Sequence, residues 1–122
     1  MNDPSGNKPS PTGELPDGEK VRRLLSTLGL CARARKLVIG TPMVCEAMRG
    51  KGGVLCVLEA SNTSDNTHAR LASKCAYYRI PHRRLPADAA ALAHAVGKTG
   101  AVASVGITDP ALLRAVGKYL DS

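Results

Sequence analysis

Two stretches of this sequence, residues 54–58 (VLCVL) and 101–107 (AVASVGI), are apolar almost throughout, and segments of helical period lie before, between and after them. A strand that is apolar on both sides has to be covered on both sides. Val21, Leu24, Leu25, Leu28 and Ala32 fall on one face of a first helix, with Arg22, Ser26 and Arg33 opposite. Leu37–Ile39 reads as a short strand. Thr41 is read as the N-cap of a second helix, with Pro42 at its first position; Val44, Ala47 and Met48 form its apolar face and Gly50 ends it. A polar loop from residue 59 to 64 leads into a third helix, capped by Ser64 or Asn62, that carries His68, Leu71, Ala72 and Cys75 and ends near Tyr78. Residues 80–82 form a strand that Pro81 marks as an edge or a strand start. Asp88 caps a short Ala-rich helix, residues 97–100 turn, and Asp109-Pro110 opens a last helix facing inward through Leu113, Val116 and Leu120. The order α-β-α-β-α-β-α-β-α predicts an α/β fold, a three-layer α/β/α sandwich around a four-stranded mixed sheet.

The 122 residues are expected to make one domain over residues 18–122. Residues 1–17, rich in Pro, Gly, Ser, Asn and Asp, read as a disordered N-terminal tail. Cys31, Cys45, Cys56 and Cys75 are widely spaced and sit in apolar patterns, which suits buried reduced thiols, a cytoplasmic setting and no zinc motif. No apolar run is long enough to span a bilayer, so no membrane association is expected.

Charge is unevenly spread. Formal net charge is +7, and residues 21–122 hold fifteen Lys and Arg against six Asp and Glu. A small basic domain attracts nucleic acid. Arg33, Arg35 and Lys36 precede the strand at Leu37–Ile39, and Gly40-Thr41-Pro42 then opens a helix whose N-terminus is a natural seat for phosphate. Three Tyr with neither Phe nor Trp argue against a stacking platform of the RRM or OB kind. Recognition would rest on charge, helix termini and three loops sharing one edge: residues 35–43, 59–64 and 96–100. Asn62 offers an amide to base edges, Lys98 a phosphate contact, and Val96 with the small residues after Lys98 an apolar seat for an extruded base. Tyr77 and Tyr78 read as packing residues.

Enzyme readings fail on the residues. Gly97-Lys98-Thr99 ends like a phosphate-binding loop but lacks its upstream glycine. His68, His82 and His94 have no metal-ligand spacing; His68 reads as a satisfied core histidine and His94 as exposed. Asp65, Asp88 and Asp109 read as helix caps. Neither catalytic residues nor a metal, cofactor or small-molecule substrate is expected.

The phrases LLSTLGLCARARKLVIGTPMV, VLCVLEASNTSDNT, LASKCAYYRIP and LAHAVGKTGAVASVGITD resemble the bacterial branch of the kink-turn RNA-binding ribosomal proteins, the L7Ae, L30e, S12e and Gadd superfamily. The likeness runs from about Val21 to Leu120. It implies an α/β/α sandwich, no catalysis, and binding to sharply bent structured RNA, with ribosomal RNA and ribosomal proteins as candidate partners. Gly40 and Thr41 match the family's Gly-Thr-Asn-Glu-x-x-Lys motif, whereas Pro42, Met43 and Glu46 stand at the Asn, Glu and Lys positions. The resemblance thus implies backbone approach at Gly40, phosphate contacts from Arg35 and Lys36, and reception of the extruded base by Gly97, Lys98 and Thr99. The expected RNA-binding set is Arg35, Lys36, Gly40, Thr41, Asn62, Gly97, Lys98 and Thr99. Pro42, Met43 and Glu46 also motivate an alternative: a protein-interaction module that has lost kink-turn recognition. A third reading is a detached substrate-recognition domain of an RNA-modifying enzyme.

Overall fold

A computed structural model of the chain describes residues 17–50 and 53–120. Its elements are α1 (Asp17–Arg33), β1 (Leu37–Ile39), α2 (Thr41–Arg49), β2 (Cys56–Glu59), α3 (Asp65–Tyr78), β3 (His82–Arg84), α4 (Ala89–Ala95), β4 (Ser104–Ile107) and α5 (Pro110–Leu120). The strands lie in the order β1-β4-β2-β3. β4 runs antiparallel to both its neighbours, and β2 and β3 are parallel, joined through α3. The sheet is therefore mixed, as expected.

Alternation along each strand sorts side chains to two faces. Leu37, Ile39, Cys56, Leu58, Val105 and Ile107 pack with α1, α4 and α5 through Leu24, Leu28, Leu92 and Val116. Val38 and Val57 face the other way, against Val44, Cys45 and Met48 of α2 and Leu71 and Cys75 of α3. This completes the α/β/α sandwich. All four cysteines are buried free thiols. No helix among the described residues is long and apolar enough to cross a membrane.

Several boundaries differ from the sequence reading. Helix α1 opens at Asp17, inside the expected tail; the rest of that tail lies outside the described residues. β2 begins at Cys56 and runs one residue further than expected, taking in Glu59. β3 starts after Pro81, whose carbonyl accepts from Val57 N–H at 2.8 Å but which has no N–H of its own to give. Ser64 and Asp88 cap their helices, each side chain accepting a backbone N–H. Asp109 does the same for Leu112, whereas Asp65 is the first helical residue and not a cap. Tyr77 is exposed, with its ring edge-on to half-buried Tyr78, so the expected packing role falls to Tyr78.

Candidate nucleic-acid interface

Strand pairing brings three connections to one end of the sheet. Ile39 at the end of β1 pairs with Val105, and Glu59 at the end of β2 pairs with Ser104, the first residue of β4. The segments 40–43, 60–64 and 97–103 therefore emerge side by side. Gly40 N–H donates to the Ser104 carbonyl at 2.9 Å, and Ala60 N–H to that of Ala103 at 2.8 Å. Val102 N–H donates to the Ala89 carbonyl at 3.0 Å, and Ala89 N–H to Asn62 Oδ1 at 2.8 Å. The three loops are thus cross-braced at their bases.

The expected site residues occupy different positions within this frame. Gly40 is the N-cap of α2, at φ 94, a conformation that strains any residue with a Cβ. Thr41 is not the cap. It is buried, and its hydroxyl is 2.8 Å from Ser104 Oγ, so it ties α2 to β4 and presents no group to a ligand. Pro42 lacks an N–H and that of Gly40 is spent on Ser104, so this helix start offers fewer donors than its sequence promised. Pro42 and Met43 are exposed, and Glu46 leans on Arg49 at 3.4 Å. Asn62 is exposed but its carbonyl is engaged by Ala89, which leaves the amide NH2 for another partner. Gly97 and Gly100, at φ 78 and 79, fold the 97–100 turn, and Lys98 and Thr99 are exposed upon it.

A groove of about 280 Å³ runs beside that turn. Ala32, Ile39 and Val96 supply apolar lining, and Arg33, His94 and Lys98 supply the polar groups. Pockets for drug-sized ligands begin near 300 Å³, so this groove is slightly smaller than those. Two larger hollows, of 460 and 330 Å³, lie between α5, β3 and α1 and include no residue of the three loops. Arg33 was noted in the sequence for its charge alone; its place beside Lys98 depends on the docking of α1 against α4. Arg35 and Lys36 stand at the opposite end of β1, four extended residues or roughly 13 Å from Gly40. Arg35 adopts φ 60 as the chain leaves α1, and Lys36 Nζ lies 3.8 Å from Asp109 Oδ1. Among the described residues, Arg33, Arg35 and Lys98 have no ion-pair partner, so their charge is free to act on a polyanion.

Sequence reasoning missed one polar cluster beneath the 60–64 loop. Glu59, completely buried at the end of β2, accepts from Thr63 Oγ1, from His68 Nδ1 at 2.9 and 3.0 Å, from His82 Nε2 at 2.7 Å and from Arg84 at 3.1 Å. Burial pushes its carboxyl up, but these hydrogen bonds more than offset that and hold it at about 2. His68 is therefore satisfied, by a carboxylate and not by the apolar core. His68 and His82, which showed no metal spacing in the sequence, lie together with Glu59, all three ligand atoms within 4.8 Å of one another. The available signal was an acid directly after an apolar strand, with two histidines downstream.

A family model described as the ribosomal protein L7Ae/L30e/S12e/Gadd45 family matches residues 22–116, which include all three loops and the groove. The chain belongs to this family. Over 94 residues it is 34% identical to the "RNA-binding protein YlxQ" of Bacillus subtilis (strain 168), a match covering 77% of this chain and 91% of that protein. Among solved structures, a protein of unknown function from Bacillus halodurans superposes with a TM-score of 0.74 at 32% identity, over 82% of this chain and 98% of that one. The Giardia lamblia 15.5kD RNA binding protein shares the fold at a TM-score of 0.67 and 18% identity, over 84% and 85% of the two chains. The Bacillus relatives agree with the bacterial branch that the sequence phrases resemble.

Proposed function

We propose that this family member is a non-enzymatic, cytoplasmic RNA-binding protein that holds a bent, structured RNA at the braced loop edge. The observation that carries this reading is the groove between α1 and the 97–100 turn, with Arg33 and Lys98 beside an apolar floor. An RNA kinked at this edge would place an extruded base in the groove and its flanking phosphates on Lys98, Thr99 and Arg33. The Gly40 turn and the Asn62 amide would approach the bend, while Arg35 and Lys36 would take phosphates on a flank one strand-length away. Thr41 serves indirectly, by fixing the Gly40 turn. The relative named as an RNA-binding protein supports the same class of partner. Ribosomal RNA is the leading candidate within it.

The test is fluorescence anisotropy with a kink-turn duplex and a straight duplex of equal length. Preference for the kinked RNA is expected, with Lys98→Glu and Arg33→Glu each lowering affinity at least tenfold while circular dichroism stays unchanged. Lys36→Glu should cost less, because its amine already shares Asp109. Affinities indistinguishable from wild type in both groove variants would sink the assignment. Exposed Met43 beside Pro42 favours a second reading, a protein-interaction surface at the same edge. Equal, weak binding to both duplexes would favour it.

A further inference from the structure

We propose that Glu59, His68 and His82 form a binding site for one divalent transition-metal ion of the kind that takes imidazole and carboxylate ligands, zinc above all. The RNA reading neither requires nor uses this site.

Three separate elements each contribute one ligand: β2 gives Glu59, α3 gives His68 and β3 gives His82. The parallel pairing of β2 with β3 and the burial of Leu71 and Cys75 on α3 hold them in place. Zinc takes nitrogen at about 2.0–2.1 Å and carboxylate oxygen at about 2.0–2.2 Å. Tetrahedral ligand atoms at those radii stand roughly 3.3 Å apart. The present separations from Glu59 Oε1 are 2.9 Å to His68 Nδ1 and 2.7 Å to His82 Nε2. To admit the ion these two contacts would widen by about half an ångström, and the two imidazole nitrogens, now within 4.8 Å of each other, would stand at about the tetrahedral separation.

The two carboxylate oxygens have different surroundings. Oε2 is held by Thr63 and Arg84 and shares the His68 Nδ1 contact at 3.0 Å, whereas His82 turns to Oε1 alone. A metal would therefore take Oε1 as a single oxygen, with Thr63 and Arg84 orienting the carboxylate from behind. The Arg84 charge works against a cation, but it lies on the far oxygen. Its presence sets the affinity below that of a site lacking a cation. The His82 side chain is 15% exposed and that of His68 45%, so the fourth corner opens to water on the His68 side. No thiol joins the set: Cys75, two helical turns from His68, is buried in the apolar cluster with Val57 and Leu71 and lies outside the group of ligand atoms.

Facing an ionised carboxylate, each imidazole donates from the nitrogen that would ligate. Metal entry replaces these two N–H···O bonds. Each neutral ring then offers that nitrogen's lone pair and carries its proton on the other nitrogen.

The experiment uses the tag-free full chain, freed of metal by chelator and titrated with Co2+ and then Zn2+. One equivalent of Co2+ is expected to give the visible absorption of a four-coordinate nitrogen–oxygen site without a thiolate charge-transfer band, and Zn2+ to displace it. In wild-type protein, Zn2+ should shift the imidazole NMR signals of His68 and His82 and leave those of His94. His68→Ala and His82→Ala should each abolish the cobalt spectrum, and His94→Ala should keep it. Unmoved His68 and His82 signals in the wild type, a thiolate band, or absorption that does not saturate would overturn the proposal. Because the wild-type signals decide, a variant that failed to fold would not obscure the answer.

Discussion

Glu59 illustrates how a single side chain links the interior to the surface. Its four donors reach it from four, nine, twenty-three and twenty-five residues away. The pH dependence follows from its lowered carboxyl. A carboxylate depressed in the folded state adds stability that is complete above its unfolded value, here 4.5, and is lost as pH falls toward the folded value of about 2. In chelator-containing buffer, urea unfolding should therefore show a loss on the order of 2 kcal/mol between about pH 5 and about pH 3. Glu59→Gln should be less stable at neutral pH and nearly flat across that range. Thr41→Val should lower stability by about 1–3 kcal/mol, since Ser104 would lose its buried partner; because the same bond fixes the Gly40 turn, RNA binding should also weaken modestly in protein that remains folded. Thr41 shows the limit of reading single residues. Its type and position suit a cap, but its hydroxyl is taken by a residue 63 positions away, which no local pattern reveals. The turn that carries Lys98 was legible, because Gly97 and Gly100 write it locally; Asn62, offered as a cap of α3, leaves that place to Ser64, and the engagement of its carbonyl with Ala89 was not legible.

Among the elements, the helices whose stops and starts are written in neighbouring residues were the most legible. Ser64 and Asp88 cap as their sequences suggest, and the apolar faces of α1, α2 and α5 point inward as their periods require. Strand ends were less legible, because β2 continues through a charged residue that only cross-element donors make tolerable inside. The contact of α1 with α4 was not legible either. There a Cβ on Gly29 would lie 2.7 Å from the Ala95 carbonyl oxygen, so this glycine permits close approach of the two helices. Gly29→Ala should destabilise by about 1–3 kcal/mol, read as a lowered urea midpoint. Since α1 carries Arg33 and α4 leads into the 97–100 turn, the same substitution should also widen the groove and weaken RNA binding in protein that remains folded.

For the molecule as a whole, apolar runs and helical periods were enough to specify the three layers and the mixed sheet, because both depend on which surfaces must be covered. Strand order was not specified, and it decides which charges meet. It sets Arg33 and Lys98 around one groove and sends Lys36 to the far end of β1, beside Asp109. Affinity for RNA should fall steeply with added salt, through release of counterions from the phosphates. Lys98→Gln should make the slope of log affinity against log salt shallower by about one counterion; an unchanged slope would remove Lys98 from the contact. Strand order has another consequence. β4, the last of the four described strands in chain order, lies between β1 and β2. A nascent polypeptide that has not yet produced Ser104–Ile107 holds the β2–β3 pair and, apart from it, β1 as a lone strand, with no seam between them. Cooperative folding therefore waits for that late segment, and a fragment ending at residue 103 should unfold without a sigmoidal transition and be prone to self-association during synthesis.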